Sequence, residues 1–266
     1  MFKPKKYLGQ HFLKNLAVLP LIIEAAELSK DDTVLEIGPG TGILTEELAK
    51  HAREVLAVEK DYDLIETLKK NVKAKNVKII HQDALFFSPD IIGPYKIVAN
   101  IPYSITSPLI RKFIENEPRP ELLVLMVQKE VAERITAKAG DRNRGLLTII
   151  VEFYATSEII AQVPRGDFYP VPKVDSAIIK IKPLPRSRNG VKQVEPQIFF
   201  RIVKAGFSAK RQQIHNSLAA TLRLPKDQVR DILKRSSIDP TKRAEDLTLE
   251  DWINLTKTFE STLNGL

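Results

Sequence analysis

Between residues 31 and 127 short apolar runs alternate with amphipathic helical stretches. No other feature of the chain restricts its fold as strongly. TVLEI (33–37) is followed by the turn GPGTG and the helical pattern ILTEELAKHA (43–52). EVLAVE (54–59) and DYDLIETLKKNVKA (61–74) repeat the unit, with Asp61 near the helix start and lysines near its end, where each suits the helix dipole. VKII (77–80), YKIVA (95–99) and ELLVLMV (121–127) supply three more strands, and a helix is expected at about 105–117. Strands separated by helices predict a parallel, doubly wound α/β sheet.

The pattern then changes. Helices are expected around 128–138 and 144–155. SEIIAQV (157–163) and SAIIKIK (176–182) read as two late strands joined by the Pro-rich loop PRGDFYPVPKVD (164–175). With no helix between them, an antiparallel finish is expected. PLPRSRNG (183–190) has the composition of a linker, and 195–262 carries only helical periodicity. Two domains are therefore expected: an α/β domain over 1–184 and a small all-α domain over 190–266.

Charge is segregated. Residues 1–23 carry +4 and residues 186–235 carry +9 of a chain total of +8, which leaves the remainder at −5. Such segregation can serve solubility alone; the sharper expectation is an anionic polymer partner held mainly through phosphate contacts. With no cysteine, disulfides, thiolate chemistry and Cys-ligated zinc are excluded, and the four histidines show no metal-ligand spacing. No apolar stretch is long enough for a membrane span, and the basic N-terminus lacks the apolar core of a signal peptide. A cytoplasmic protein is expected.

LEIGPGTG (35–42) follows the first strand, where doubly wound folds bind ligands. Glycine there permits positive φ and close backbone approach, but such a turn alone serves NAD, FAD, other nucleotides or S-adenosylmethionine. The dinucleotide fingerprint wants Gly or Ala at position 43, which is Ile, and no Gly-Lys-Ser/Thr follows. Glu59 ends the second strand, where a carboxylate can accept from both ribose hydroxyls; this fits NAD as well. Asp83, after the third strand, can accept from an adenine amino group or cap a turn. Glu36 suits a cofactor bearing an ammonium. Acids at strand ends favour S-adenosylmethionine, which has no phosphates, over NAD.

Asn100-Ile101-Pro102-Tyr103 ends the fourth strand, beside the first strand at the switch point. An exocyclic amine on a base is a poor nucleophile because its lone pair is delocalised into the ring. The Asn100 side-chain oxygen and the Ile101 carbonyl can each accept one N–H bond and aim the lone pair at a methyl donor. Pro102 fixes φ and removes an N–H, and Tyr103 can stack on the base for ~1–3 kcal/mol. Rate then comes from positioning. The base must be unpaired or flipped out. Phe168, between Pro-rich turns, is expected as a second stacking aromatic.

These residues resemble the ribosomal RNA adenine N6-dimethyltransferases, specifically the small-subunit dimethyladenosine transferases. The match includes KKYLGQHFLKN (5–15), LEIGPGTGILTEEL (35–48), VEKD (58–61), QDAL (82–85), NIPYSITSPLI (100–110), DFYPVPKVDSAI (167–178) and GFSAKRQQIHNSL (206–218). The resemblance implies a Rossmann-like class I methyltransferase domain with a mostly parallel seven-stranded sheet, followed by the helical domain. It implies transfer of four methyl groups in all to two adjacent adenines near the 3′ end of small-subunit rRNA, within a pre-ribosomal small subunit, by a monomer. By the family pattern His11, Leu13, Gly38, Gly40, Glu59, Asp83 and Asn100 line the cofactor. Asn100 and Tyr103 face the target adenine with Phe168 opposite, and Gln10 to Leu13 fold over the cofactor. Lys5, Lys6, Lys204, Lys210 and Arg211 are expected to meet RNA. His11 departs from the Asn that many relatives carry, and brings a titratable ring to the site. The macrolide-resistance type of large-subunit adenine methyltransferase shares NIPY and the cofactor turn, but GPG and Asp175 in PKVDS resemble the small-subunit branch more.

Overall fold

A computed structural model describes residues 4–5, 9–88, 93–185 and 193–263. Its elements in chain order begin with β1 (Phe12–Leu13), α1 (Leu19–Ala26), β2 (Thr33–Ile37), α2 (Ile43–His51), β3 (Glu54–Glu59), α3 (Tyr62–Asn71) and β4 (Val77–His81). Next come β5 (Tyr95–Asn100), α4 (Thr106–Glu115), β6 (Leu122–Gln128), α5 (Lys129–Thr136), α6 (Leu146–Tyr154), β7 (Ala155–Val163), β8 (Phe168–Tyr169) and β9 (Ser176–Pro183). The chain ends in α7 (Pro196–Gly206), α8 (Ile214–Leu222), α9 (Lys226–Arg235) and α10 (Leu249–Leu263).

Seven strands form one sheet in the order β4-β3-β2-β5-β6-β9-β7. β4, β3, β2, β5 and β6 pair in parallel, and β9 joins β6 antiparallel. The β2 run TVLEI is buried at every position, as expected of a central strand covered on both faces. Chain order reverses at β2, between β3 and β5. That crevice is where the carboxyl ends of strands leave room for a ligand.

A second sheet has only two short strands, β1 and β8, paired antiparallel with Phe12 opposite Tyr169 and Leu13 opposite Phe168. It pins an N-terminal strap to the Pro-rich loop, and Lys14 N–H extends the pairing to Asp167 O over 2.7 Å.

The chain divides into two compact units. One holds residues 1–132 and 157–183; the other holds 133–156 and 184–266. The sequence placed the boundary at 184–190 and kept 133–156 in the first domain. Within the helical unit, Phe153 packs 4.4 Å from Phe199 and 5.1 Å from Phe200, between ring centroids. Arg144 is buried there, bonded to Ala137 O, Leu247 O and both oxygens of Glu152. These contacts account for the assignment of 133–156.

Candidate active site

One cavity at the carboxyl ends of β2, β3 and β5 is lined by His11, Leu13, Gly38, Gly40, Glu59, Asp83, Asn100, Ile101, Pro102 and Tyr103. All the expected cofactor and catalytic positions outside Phe168 therefore share a single space. Its floor comes from two turns in close approach. A Cβ on Gly38, which has φ +68°, would lie 3.4 Å from Pro102 Cδ. At Gly40, φ +60°, a Cβ would lie 3.0 Å from the Phe12 ring of the strap. The positive φ calls for glycine at both, and at Gly40 the Phe12 ring also leaves no room for a side chain.

The acids differ in environment. Glu59 ends β3 and is 6% exposed. Its Oε1 accepts from Asp61 N–H at 2.8 Å and its Oε2 from Gly40 N–H at 3.2 Å. Burial pushes its pKa up, against those amide bonds. The paired amides hold the carboxylate at the strand end, with its remaining lone pairs available to hydroxyl donors. Asp83 follows β4; its Oδ1 accepts from Leu85 N–H at 2.9 Å and its Oδ2 from Lys60 Nζ at 2.8 Å. Burial raises its pKa, but the Lys60 ammonium and the Leu85 N–H outweigh burial and hold it below the usual carboxylate range.

Glu36 lies within β2, 1% exposed, and its Oε2 has no hydrogen-bond partner. Complete burial, followed by the neighbouring Glu59 charge, pushes its carboxyl up to about 8. One buried oxygen of Glu36, a residue of the cavity wall, thus lacks a partner, which costs about 1–3 kcal/mol and favours a cationic group nearby.

Asn100 ends β5 opposite Met126. Its Nδ2 donates to the His11 carbonyl at 3.2 Å. The amide is thereby oriented, and its Oδ1 is left to accept from another group. Tyr103 is fixed at its tip, with its hydroxyl and the Ser176 hydroxyl 2.7 Å apart, and burial raises its pKa. The His11 ring stacks on the Tyr103 ring at 5.5 Å and 26°.

Phe168 departs from expectation. Its ring is fully buried, in the cluster that also holds Leu13, Ile22, Met126 and Ile178, and it does not line the cavity. Alternation explains this: Phe168 pairs with Leu13 and points inward with it, while Tyr169 next along is 59% exposed.

Lys5 departs too. Its ammonium lies 2.6 Å from Asp61 and 2.7 Å from Asp63. Hydrogen bonds to those carboxylates lift its pKa well above the usual lysine range. Lys5 thus fastens the strap to the start of α3. Lys6 lies outside the described residues. Lys204, Lys210 and Arg211 are exposed on the helical unit.

Sequence reasoning missed two organisers. Asp61, read as a helix cap, does bond Asp63 N–H, but it also receives Gln10 Nε2 at 2.7 Å. Lys112 of α4 donates to the carbonyls of Ala84 at 2.8 Å, Leu85 at 3.0 Å and Phe87. It thereby holds the turn that carries Asp83. Nothing local in sequence announces either role. Among the described residues no group of three or more His, Cys, Asp or Glu is placed to share a metal ion, and no helix is long and apolar enough to cross a membrane.

The family model described as ribosomal RNA adenine dimethylase matches residues 1–261. A relative from Dehalococcoides mccartyi called ribosomal RNA small subunit methyltransferase A is 47% identical over 256 residues, covering 94% of this chain and 86% of that one. One of the same name from Fusobacterium nucleatum is 44% identical, covering 97% and 98%. Among solved structures, a dimethyladenosine transferase from Plasmodium falciparum superposes with TM-score 0.80 at 31% identity, covering 94% and 98%. The 23S rRNA methyltransferase ErmE gives 0.73 at 30%, covering 94% and 99%.

Proposed function

The chain belongs to the ribosomal RNA adenine dimethylase family, and from that membership we propose how its residues divide the work of methylating adenine. The enzyme is an S-adenosylmethionine-dependent rRNA dimethyltransferase. It converts two adjacent adenines near the 3′ end of small-subunit rRNA to N6,N6-dimethyladenosine and serves small-subunit biogenesis.

S-adenosylmethionine supplies an electrophilic methyl group on a sulfonium. The cavity's donor set suits it: carboxylates where hydroxyl, amino and ammonium groups need acceptors, and no cluster of cations for phosphates. Glu59 accepts from the ribose hydroxyls, Asp83 accepts from the adenine amino group, and Glu36 lies toward the positive charge. His11 and Leu13 roof the site, and Gly38 and Gly40 let the backbone come close.

Asn100 Oδ1 and the Ile101 carbonyl accept the two N–H bonds of the target amine and draw its lone pair out of conjugation. Pro102 holds that carbonyl by fixing φ at −55°. Tyr103 carries the base on its face. The proton leaves to water after each transfer, so none of these residues has to act as a strong base. Rate comes from orientation.

The observation that carries this reading is the bond from Asn100 Nδ2 to the His11 carbonyl, because it leaves Oδ1 as the free end of the amide. We further propose that the substrate is a pre-ribosomal small subunit in the cytoplasm and that the enzyme acts as a monomer. The α/β unit carries the chemistry, and the basic helical unit grips rRNA through Lys204, Lys210 and Arg211. The test is an Asn100→Ala variant assayed on under-methylated small subunits. Transfer is lost while RNA binding survives; equal loss of both sinks the assignment.

A further inference from the structure

One face of the Tyr103 ring is covered by the chain's own His11. The two rings lie 5.5 Å apart at 26°. A base inserted between them needs two stacking gaps, about 7 Å in all, so the pair as built leaves no room for one. The imidazole is held in place. Its Nδ1 lies 2.6 Å from Pro170 O, and since a carbonyl only accepts, Nδ1 carries the proton. The His11 backbone is held separately, by Asn100 through the His11 carbonyl. Tyr103 is held at its tip, where its hydroxyl is bonded to the buried Ser176. Phe168 takes no part, since its ring is in the core.

We propose that His11 is a placeholder for the target base: its imidazole occupies the Tyr103 platform until adenine displaces it. This rests on the reading of Tyr103 as the stacking residue. The two anchors of His11 are separable. Rotation about the side-chain bonds gives up the Pro170 contact and the stack, while the backbone bond to Asn100 persists. The roof over the cofactor and the orientation of the catalytic amide therefore survive base entry. Pro170 lies between Tyr169 and Val171, which are 59% and 56% exposed, so its carbonyl sits on a loop that RNA can reach. The device sets a threshold for the substrate. A ligand that stacks no better than imidazole does not open the platform, whereas a purine with a larger π-face does.

Two measurements test this. The first is KM for under-methylated small subunits at saturating S-adenosylmethionine, for wild type, His11→Ala and His11→Phe. Removing the competing ring lowers KM by about 2–10-fold in His11→Ala, the range expected for an aromatic pair, and His11→Phe keeps the wild-type KM or raises it. A KM that rises or stays constant in His11→Ala, with cofactor affinity by calorimetry unchanged, overturns the proposal. The second measurement needs no turnover: the ¹⁹F spectrum of protein labelled with 3-fluorotyrosine. The Tyr103 resonance, assigned by Tyr103→Phe, shifts in His11→Ala because the ring current of His11 is lost. A Tyr103 signal identical in wild type and His11→Ala also overturns it. If wild-type protein transfers no methyl group, the enzymatic reading fails instead, while the ¹⁹F result still decides whether the rings stack.

Discussion

The side-chain amide of Gln10 donates to the Asp61 carboxylate across 2.7 Å, joining the strap over the cavity to the cap of α3. The other oxygen of Asp61 receives Lys5 at 2.6 Å. Asp61 is two residues beyond Glu59 and bonds it through its own N–H. The strap and the Glu59 carboxylate, the proposed ribose acceptor, therefore share one anchor. Asp61→Ala releases Lys5 and Gln10 together, and since a hydrogen bond to a charged group contributes about 1.5–3 kcal/mol, the Kd for S-adenosylmethionine rises by roughly tenfold or more in calorimetry.

The same carboxylate gives the strap a pH dependence of known sign. Burial raises the Asp61 pKa, but Lys5, Gln10 and the Asp63 N–H outweigh it, and the net shift is downward. A group whose folded pKa lies below its unfolded value stabilises the fold above the unfolded pKa and loses that contribution as pH falls through the folded one. The strap stays fastened at neutral pH and through the ordinary carboxylate range, and opens only in stronger acid. Amide exchange at Gln10 to Leu13, followed from pH 7 to pH 3, shows protection lost only at the acid end.

Glu36 has the opposite sign. Its folded carboxyl titrates at about 8, above the unfolded value. Its contribution is fully present below the unfolded pKa and is lost as pH rises through 8. The cofactor-free protein therefore loses stability between about pH 5 and pH 9, by on the order of a few kcal/mol, and Glu36→Gln flattens that slope in thermal melts. Binding a cationic ligand beside Glu36 at pH 7 releases a proton, measurable by calorimetry in buffers of different ionisation enthalpy. A melt profile of Glu36→Gln that matches wild type removes Glu36 from this role.

Lys112 holds the turn after Asp83 through three carbonyls. Lys112→Met keeps the aliphatic stem and removes the donors, costing about 1–3 kcal/mol of stability. Asp83 then loses its fixed position. KM for S-adenosylmethionine rises severalfold, and KM for RNA does not change. A rise in the RNA KM alone would assign Lys112 to the substrate side.

Lys210 and Arg211 test the RNA surface. Each phosphate contact contributes about 0.7–0.9 to the slope of log K against log salt, so neutralising both lowers the slope by roughly 1.4–1.8. An unchanged slope moves the RNA surface elsewhere.

The catalytic half was legible because its chemistry sits at strand ends. Glu59, Asp83 and Asn100 each terminate or follow a strand that the period of the sequence locates, and the parallel sheet then gathers them in one crevice. Features set by distant partners were not legible. Lys5 and Gln10 meet Asp61 across 56 and 51 residues, so a strap lysine that reads as a free cation proves to be an anchor. Phe168 reads as a loop aromatic because β8 has only two residues, too few to show alternation, and its inward direction is set by Leu13 on β1. LLTIIVEFY is apolar enough to pack anywhere; the rings of Phe199 and Phe200, and the Arg144 bonds to Glu152 and Leu247, tie it to the helical unit.

Mass spectrometry of rRNA, after incubation of under-methylated ribosomes with the enzyme and S-adenosylmethionine, tests the central claim most directly. The account predicts two N6,N6-dimethyladenosines on neighbouring positions near the 3′ end of the small-subunit RNA. Adenine methylation confined to large-subunit RNA, or no methylated adenine at all, contradicts it.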